Sequence, residues 1–226
     1  MKSTRNIALV AGVLYLLTFI SIPTLTLYTT VHEANYMVSV GTDNPVLVGT
    51  VLEIIVALAG IGTAVVLFPV VKRQNEGIAL GFVGSRILEG ATIIAGVVCL
   101  QSVVALRQAG GGADALVTGR ALVALYDKTF LIGQSLMPAV NALLLGSLLY
   151  RSHLVPRVLP LVGIIGAPLL IAAQISVLFG LIGRISAWAA VAALPIALWE
   201  FSLGVWLTVK GFNPSAIVLE ADKTHN

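Results

Sequence analysis

The sequence predicts an all-α polytopic membrane protein with six transmembrane helices and both termini in the cytoplasm. Of its 226 residues, 58% are hydrophobic and only 10% are charged, and the mean hydropathy is +1.01. A soluble globular domain carries about 25% charged residues, so the composition excludes that class. Several apolar runs exceed the roughly 18 residues that mark a transmembrane helix. The basic residues gather at the ends of these runs, which is typical of topology signals.

Six apolar runs are long enough to cross a hydrocarbon core of about 30 Å at 1.5 Å per residue. Loop-forming stretches separate them, such as KRQNEG, AGGGAD and GRIS. Residues 1–212 therefore form one transmembrane domain, and residues 213–226 form a cytoplasmic tail. The helical periodicity of ADALVTGRALVALYDK predicts a short interfacial helix before the fourth span. The predicted spans are 7–29, 46–71, 78–106, 127–150, 159–183 and 187–209.

The distribution of basic residues predicts the orientation. With the N-terminus in the cytoplasm, eight Lys and Arg residues fall on inner segments and four on outer segments, with Arg86 inside a span. The long first outer loop, TVHEANYMVSVGTDNP, contains no Lys or Arg. The positive-inside rule therefore places both termini in the cytoplasm.

The stretch GSRILEGA carries Arg86 and Glu89 inside the third apolar run. Residues three apart share one face of a helix. A charged side chain at the bilayer centre costs about 3 kcal/mol, so such residues face partners and mark functional sites. Polar residues of other spans supply candidate partners, and we expect a polar seam through the bundle. The predicted ligand or proton site consists of Glu53, Arg86, Glu89, Gln134, Asn141 and Glu200.

The charges within this seam do not balance, because three carboxyl groups share one guanidinium. An unpaired buried charge is costly, so we expect Arg86 to contact Glu89 or Glu200. A carboxyl group left without a cation is expected to hold a proton, a cation or a polar ligand. Glu53 is the first candidate for a protonated group, since it lies farthest from Arg86 along the bundle.

Other chemistries find little support in the sequence. Cys99 is the only cysteine, so neither an intramolecular disulfide nor a CxxC pair can form. His32, Glu33 and Asp43 share a loop, but a zinc site needs three or four convergent ligands and the other two histidines lie elsewhere. No motif indicates a nucleophile. We therefore predict no catalytic residue, no metal and no cofactor, and no nucleic-acid partner.

These patterns favour small-ligand binding or proton-linked transport. In the main alternative, the protein has a structural or interaction role and the Arg/Glu cluster only fixes helix packing. An intramembrane lipid-modifying enzyme is the third hypothesis. The expected partners are the lipid bilayer and a small-molecule or lipid ligand, and the oligomeric state stays open.

Three stretches resemble the bacterial domain-of-unknown-function 4386 family. They are SRILEGA, LLYRSHLVPRVLPLVGIIGAP and LPIALWEFSLGVWLTVKGFN, and their most specific marks are LLYRS-x-LVPR and VKGFN. The resemblance covers nearly the whole chain and implies a multi-pass protein of the bacterial inner membrane. It implies no substrate, cofactor or catalytic role. The residues that match the family pattern are Arg86, Glu89, Arg151, Pro156, Arg157, Glu200 and Lys210.

Overall fold

The computed structural model describes residues 2–216, which contain helices and no β-strand. Six helical runs within this range are long and apolar enough to cross a membrane, which confirms the predicted all-α class with six membrane-length helices. Large aliphatic side chains face outward, with Leu58 63% and Leu198 61% exposed, and such a surface suits lipid. Most of the predicted tail, residues 217–226, lies outside the described residues. The runs are Thr4–Leu27, Asn44–Val71, Glu76–Gln108, Gly112–Ser152, Val158–Leu178 and Ala187–Val209.

The first run is bent. Helix α1 (Lys2–Leu17) passes into a 3-10 turn (Thr18–Ser21), and Pro23 precedes the short helix α2 (Thr24–Leu27). Hydroxyl groups in this segment bond back to the preceding turn, as Thr18 Oγ1 does to the Tyr15 carbonyl at 2.7 Å. Such side-chain bonds compete with the helical ladder and bend helices.

The second and third runs form a helical hairpin. Helix α3 (Asn44–Val71) and helix α4 (Glu76–Gln108) pack side by side and are joined by a four-residue connection. The Asn75 side chain starts α4 by accepting a hydrogen bond from the Ile78 amide at 2.9 Å, which satisfies a free N–H of the first turn. At 1.5 Å per residue, α4 is about 50 Å long, more than a bilayer core requires.

The fourth run differs from the prediction of a separate interfacial helix. A 3-10 turn (Gly112–Ala115), helix α5 (Leu116–Phe130), a π-helical segment (Leu131–Leu136) and helix α6 (Met137–Ser152) follow without a break. The physical reason for the π segment is Pro138, which has no N–H for the carbonyl four residues earlier, so the ladder shifts locally. Helix α5 packs along the C-terminal part of α4 instead of ending before the span.

The last two runs are helix α7 (Val158–Leu178) and helix α8 (Ala187–Val209). Helix α7 ends five residues before the predicted position because Gly180 adopts φ +71° and closes a C-terminal capping turn, with the Leu181 amide bonded to the Ser176 carbonyl at 2.8 Å. The start of α1 packs against the end of α8, where Arg5 donates to the carbonyl groups of Leu207 and Thr208.

The bundle has two ends, called the terminal face and the loop face. The terminal face carries the start of α1, the end of α8 and the connections 72–75 and 153–157. The loop face carries the connections 28–43, 109–111 and 179–186. Both described ends of the chain lie at the terminal face, and the cytoplasmic location of that face stays a prediction.

The buried polar residues lie between apolar layers. Along α4, Phe82 belongs to a large apolar cluster near the terminal face, and Leu100 belongs to another near the loop face. Arg86 and Glu89 occupy the helical turns between them. The layers limit the access of water to these side chains, so most of their hydrogen bonds must come from protein groups or from a ligand.

Candidate functional site

Arg86 lies at the centre of a buried hydrogen-bonded group that joins three helices. Its Nη1 donates to Glu89 Oε2 at 2.9 Å, and its Nη2 donates to Glu200 Oε1 at 2.8 Å. Asn141 of α6 donates from Nδ2 to the same Glu89 oxygen at 2.7 Å. Arg86 is 2% exposed and the Glu200 side chain 13%. The predicted contact of Arg86 with Glu89 or Glu200 is confirmed, because both are formed. These four residues are called the Arg86 centre.

Aromatic rings and a glycine complete the surroundings of the guanidinium. The Arg86 Cζ lies 5.2 Å from the Tyr15 ring centroid and 5.8 Å from that of Phe82, which are cation–π distances. A Cβ atom at Gly60 of α3 would lie 3.8 Å from Arg86 Nη1, so α3 comes close at this level. With both carboxyl groups ionised, the centre carries one negative charge in excess. It therefore favours a cationic or hydrogen-bond-donating group.

Glu53 of α3 forms a second buried group, called the Glu53 centre together with Tyr28, Tyr126 and Gln134. Its Oε1 accepts from the Tyr126 hydroxyl and from Gln134 Nε2, both at 2.8 Å. Among the described residues, its buried Oε2 has no hydrogen-bond partner, and the same holds for the hydroxyl of Tyr28. The Tyr28 ring packs where a side chain at Gly49 would stand, one helical turn from Glu53. These unpaired oxygens have the chemistry to hold a proton between them.

The six predicted residues therefore form two groups instead of one continuous seam. No hydrogen bond or ion pair is observed between the groups within residues 2–216. Helix geometry explains the separation, since Gln134 lies inside the π segment that shifts the face of the fourth run, and Asn141 lies beyond that segment in α6. Gln134 is the residue that adjoins both, because it donates to Glu53 and also lines the cavity that reaches the Arg86 centre.

A cavity of about 360 Å³ leads from the loop face to the Arg86 centre. Its polar lining includes Arg86, Glu89, Gln134 and Glu200, but Glu53 lies behind Gln134 and does not line it. The bent segment of the first run and the first half of α8 form opposite walls. Ile22 is 59% and Ile185 76% exposed at its mouth, so the cavity is open. Further apolar walls come from Leu25, Val56, Ile93, Phe130, Leu170 and Ile196.

A charged cluster lies beside the mouth. Asp127 of α5 accepts from His32 Nε2 and from Arg184 Nη2, each at 3.0 Å. The hydrogen bond to Asp127 raises the pKa of His32 above its ordinary value of 6.5, partial burial opposes the shift, and a bond to the Tyr28 carbonyl supports it. The cluster ties the first loop to α5 and to the α7–α8 connection, so it fixes the mouth of the cavity.

The loop that holds His32 does not gather a metal-ligand set from its acidic residues. Asp43 instead bonds to Arg107 and to the Tyr36 hydroxyl. Burial and the hydrogen bond to Asp43 raise the pKa of Tyr36 to about 12. This second cluster attaches the loop to the end of α4.

Three tyrosines contact or belong to the two centres but are absent from the six residues that the sequence predicts. Tyr15 stacks on Arg86, whereas Tyr28 and Tyr126 pack edge to face at 5.4 Å beside Glu53. A signal was available, because a tyrosine hydroxyl inside an apolar run usually needs a partner. Sequence spacing alone does not say which partner it finds.

Six apolar helical runs around buried polar centres define an integral, multi-pass membrane protein. The chain belongs to the Domain of unknown function (DUF4386) family, whose sequence profile matches residues 10–211. This match confirms the resemblance found in the sequence. Comparison with the curated proteins and with the solved structures found no match.

Proposed function

We propose that the protein binds a small amphipathic molecule within the membrane, in the cavity that ends at the Arg86 centre. The supporting observation is that an open, mostly apolar cavity reaches a buried charged group. Its volume of about 360 Å³ falls in the range of small-molecule sites, where a few polar groups orient an otherwise apolar ligand. The Arg86 centre, where the cavity ends, has one more carboxyl group than cations, which favours a ligand with an ammonium or another donor group.

Proton coupling through the Glu53 centre is part of this proposal. A buried carboxylate without a cation costs several kcal/mol, and a bound proton removes most of that cost. Gln134 adjoins both the carboxyl group and the cavity, so a ligand that moves Gln134 changes the hydrogen bonding of Glu53. Ligand binding and proton binding would then alter each other, which is the requirement for proton-linked transport.

One observation favours the structural alternative. The Arg86–Glu200 bond joins α4 to α8 across the bundle, and such a bond can fix the position of α8 without any ligand. The two functions predict different effects of blocking the cavity, because a packing role does not depend on whether a molecule can enter it.

A cavity-filling variant separates the two functions. Octylammonium serves as the probe and octanoate, with the same chain and opposite charge, as its control. We expect octylammonium to raise the unfolding temperature of the wild type in detergent, and Ala193→Phe, on the cavity wall, to abolish that rise. Leu198→Phe, on the outward face of α8, should keep the rise. Equal responses of Ala193→Phe and the wild type would refute binding in the cavity.

The proposed location is the inner membrane of a bacterium, and the proposed partners are the lipid bilayer and the small-molecule or lipid ligand. The six apolar runs support a multi-pass membrane protein; the bacterial inner membrane is what the resemblance of the sequence stretches implies.

A further inference from the structure

The two most specific family marks in the sequence meet at the terminal face. LLYRSHLVPR ends α6 and starts α7, and VKGFN ends α8. Between them lies a cavity of about 490 Å³, separate from the one that reaches the Arg86 centre. Its lining residues are His153, Val155, Pro156, Arg157, Trp206, Lys210, Gly211, Phe212, Asn213 and Pro214.

Backbone structure holds the two stretches together. His153 ends α6 in the left-handed region at φ 57°, which a residue other than glycine rarely adopts. The next residue, Leu154, is fully buried, and its carbonyl accepts a hydrogen bond from the Asn213 amide at 2.8 Å. Gly211 adopts φ +78° and turns the chain after α8. The walls of the cavity are thus fixed relative to one another.

Several side chains on these walls are hydrogen-bond donors. Arg157 Nη2 lies 2.6 Å from His153 Nε2. A guanidinium can only donate, so Nε2 accepts and the imidazole proton is left on Nδ1. Lys210 adds an ammonium group. The indole Nε1–H of Trp206 is buried and has no hydrogen-bond partner within residues 2–216.

Within residues 2–216, no negative charge balances these donors. The lining contains no Asp or Glu, and neither Arg157 nor Lys210 forms a salt bridge within residues 2–216. The positive-inside rule accounts for basic residues near this face. It does not account for their convergence in one cavity together with an unsatisfied indole N–H. An anion in the cavity would compensate both cations.

We propose that this cavity binds a phosphate group, either in the headgroup of an anionic phospholipid or as free phosphate. A phosphate offers several acceptor oxygens to the guanidinium of Arg157 and the ammonium of Lys210. Val158 and Val209, 69% and 63% exposed, flank the site on its apolar side and suit the acyl chains of a lipid. Basic pockets between membrane helices are known to hold anionic headgroups.

Thermal unfolding of the full chain in detergent tests the proposal with three probes: phosphatidylglycerol, phosphatidylcholine and inorganic phosphate at constant ionic strength. Lys210→Gln and Arg157→Gln remove cavity donors, and the matched control is Arg151→Gln. Arg151 is exposed near the same end and does not line the cavity, so its loss changes the net charge equally. Because Arg157 also stacks on Tyr150, Lys210→Gln keeps the test valid if Arg157→Gln folds poorly.

We expect phosphatidylglycerol to raise the unfolding temperature of the wild type and of Arg151→Gln, and phosphatidylcholine to have a smaller effect. Each cavity variant should weaken the apparent affinity about tenfold, the loss expected for one charge-assisted hydrogen bond. A response to phosphatidylglycerol without one to inorganic phosphate supports the headgroup, and a response to both supports free phosphate as a ligand. The proposal is overturned if neither phosphatidylglycerol nor inorganic phosphate stabilises the wild type. It is also overturned if Arg151→Gln loses as much affinity as Lys210→Gln.

Discussion

Replacing Arg86 with alanine tests the energetic role of the Arg86 centre. The change removes the hydrogen bonds to Glu89 and Glu200 and leaves two carboxyl groups in a buried site. Breaking a buried ion pair by removing one partner costs about 3–5 kcal/mol, because the remaining charge has no compensation. For a protein of this size each kcal/mol shifts the unfolding temperature by about 2–4 °C, so we expect a decrease of about 6–20 °C.

The assay is thermal unfolding in detergent, with Arg120→Ala as the matched control. Arg120 is exposed and makes one hydrogen bond, to the Ala34 carbonyl at 3.0 Å. Its loss should therefore change the unfolding temperature much less, as for most surface substitutions. Equal decreases for the two alanine variants would show that Arg86 reaches water and that its carboxylate partners do not depend on it.

A double replacement separates lost packing from orphaned charge. Arg86→Leu combined with Glu200→Gln removes the guanidinium together with one of its carboxylates, while Glu89 keeps the bond from Asn141. We expect the double variant to unfold at a higher temperature than Arg86→Leu alone, because fewer uncompensated charges remain buried. A further decrease would contradict the role of charge compensation.

Three further predictions concern protonation and topology. Glu53→Gln should change stability little at pH 7 and remove a protonated carboxyl band from the infrared difference spectrum, because the buried acid holds a proton; a band that persists in the variant refutes this. Because the pKa of His32 is raised above 6.5 in the folded protein, the stabilisation from its bond with Asp127 is fully present below pH 6.5. It is lost as the pH rises through the folded pKa, so Asp127→Asn should flatten the thermal stability profile in that window. On a Cys99→Ala background, Gln74→Cys should react only with membrane-permeant reagents. Labelling by an impermeant reagent from outside the cell would show that the orientation is opposite to the predicted one.

The fold could be predicted largely from the sequence because a membrane imposes one dominant requirement. Backbone groups in lipid must be satisfied within the segment, so an apolar run of sufficient length must be a helix. The ends of the helices were harder to predict where local chemistry decides them. The fifth run ends early at the Gly180 turn, and a π segment before Pro138 interrupts the predicted span 127–150.

The candidate site was predictable as a set of residues and not as an arrangement. Arg86 and Glu89 lie three apart on one helix, so their contact follows from helix geometry. Glu200 is 114 positions from Arg86, and its bond depends on how α8 packs in the bundle. The tyrosines of both centres were missed for the same reason, since their hydroxyl and ring partners come from other helices.

Composition and apolar periodicity by themselves determined the class of protein, the number of helices and the presence of unbalanced charge inside them, because burial in lipid acts on each segment separately. Only the tertiary structure decided that the polar residues form two centres, that an open cavity reaches one of them, and that Arg157 and Lys210 converge at the terminal face. These features depend on contacts between helices distant in sequence. Their partners are selected by packing and by the balance of charge in a buried site, which no single segment specifies.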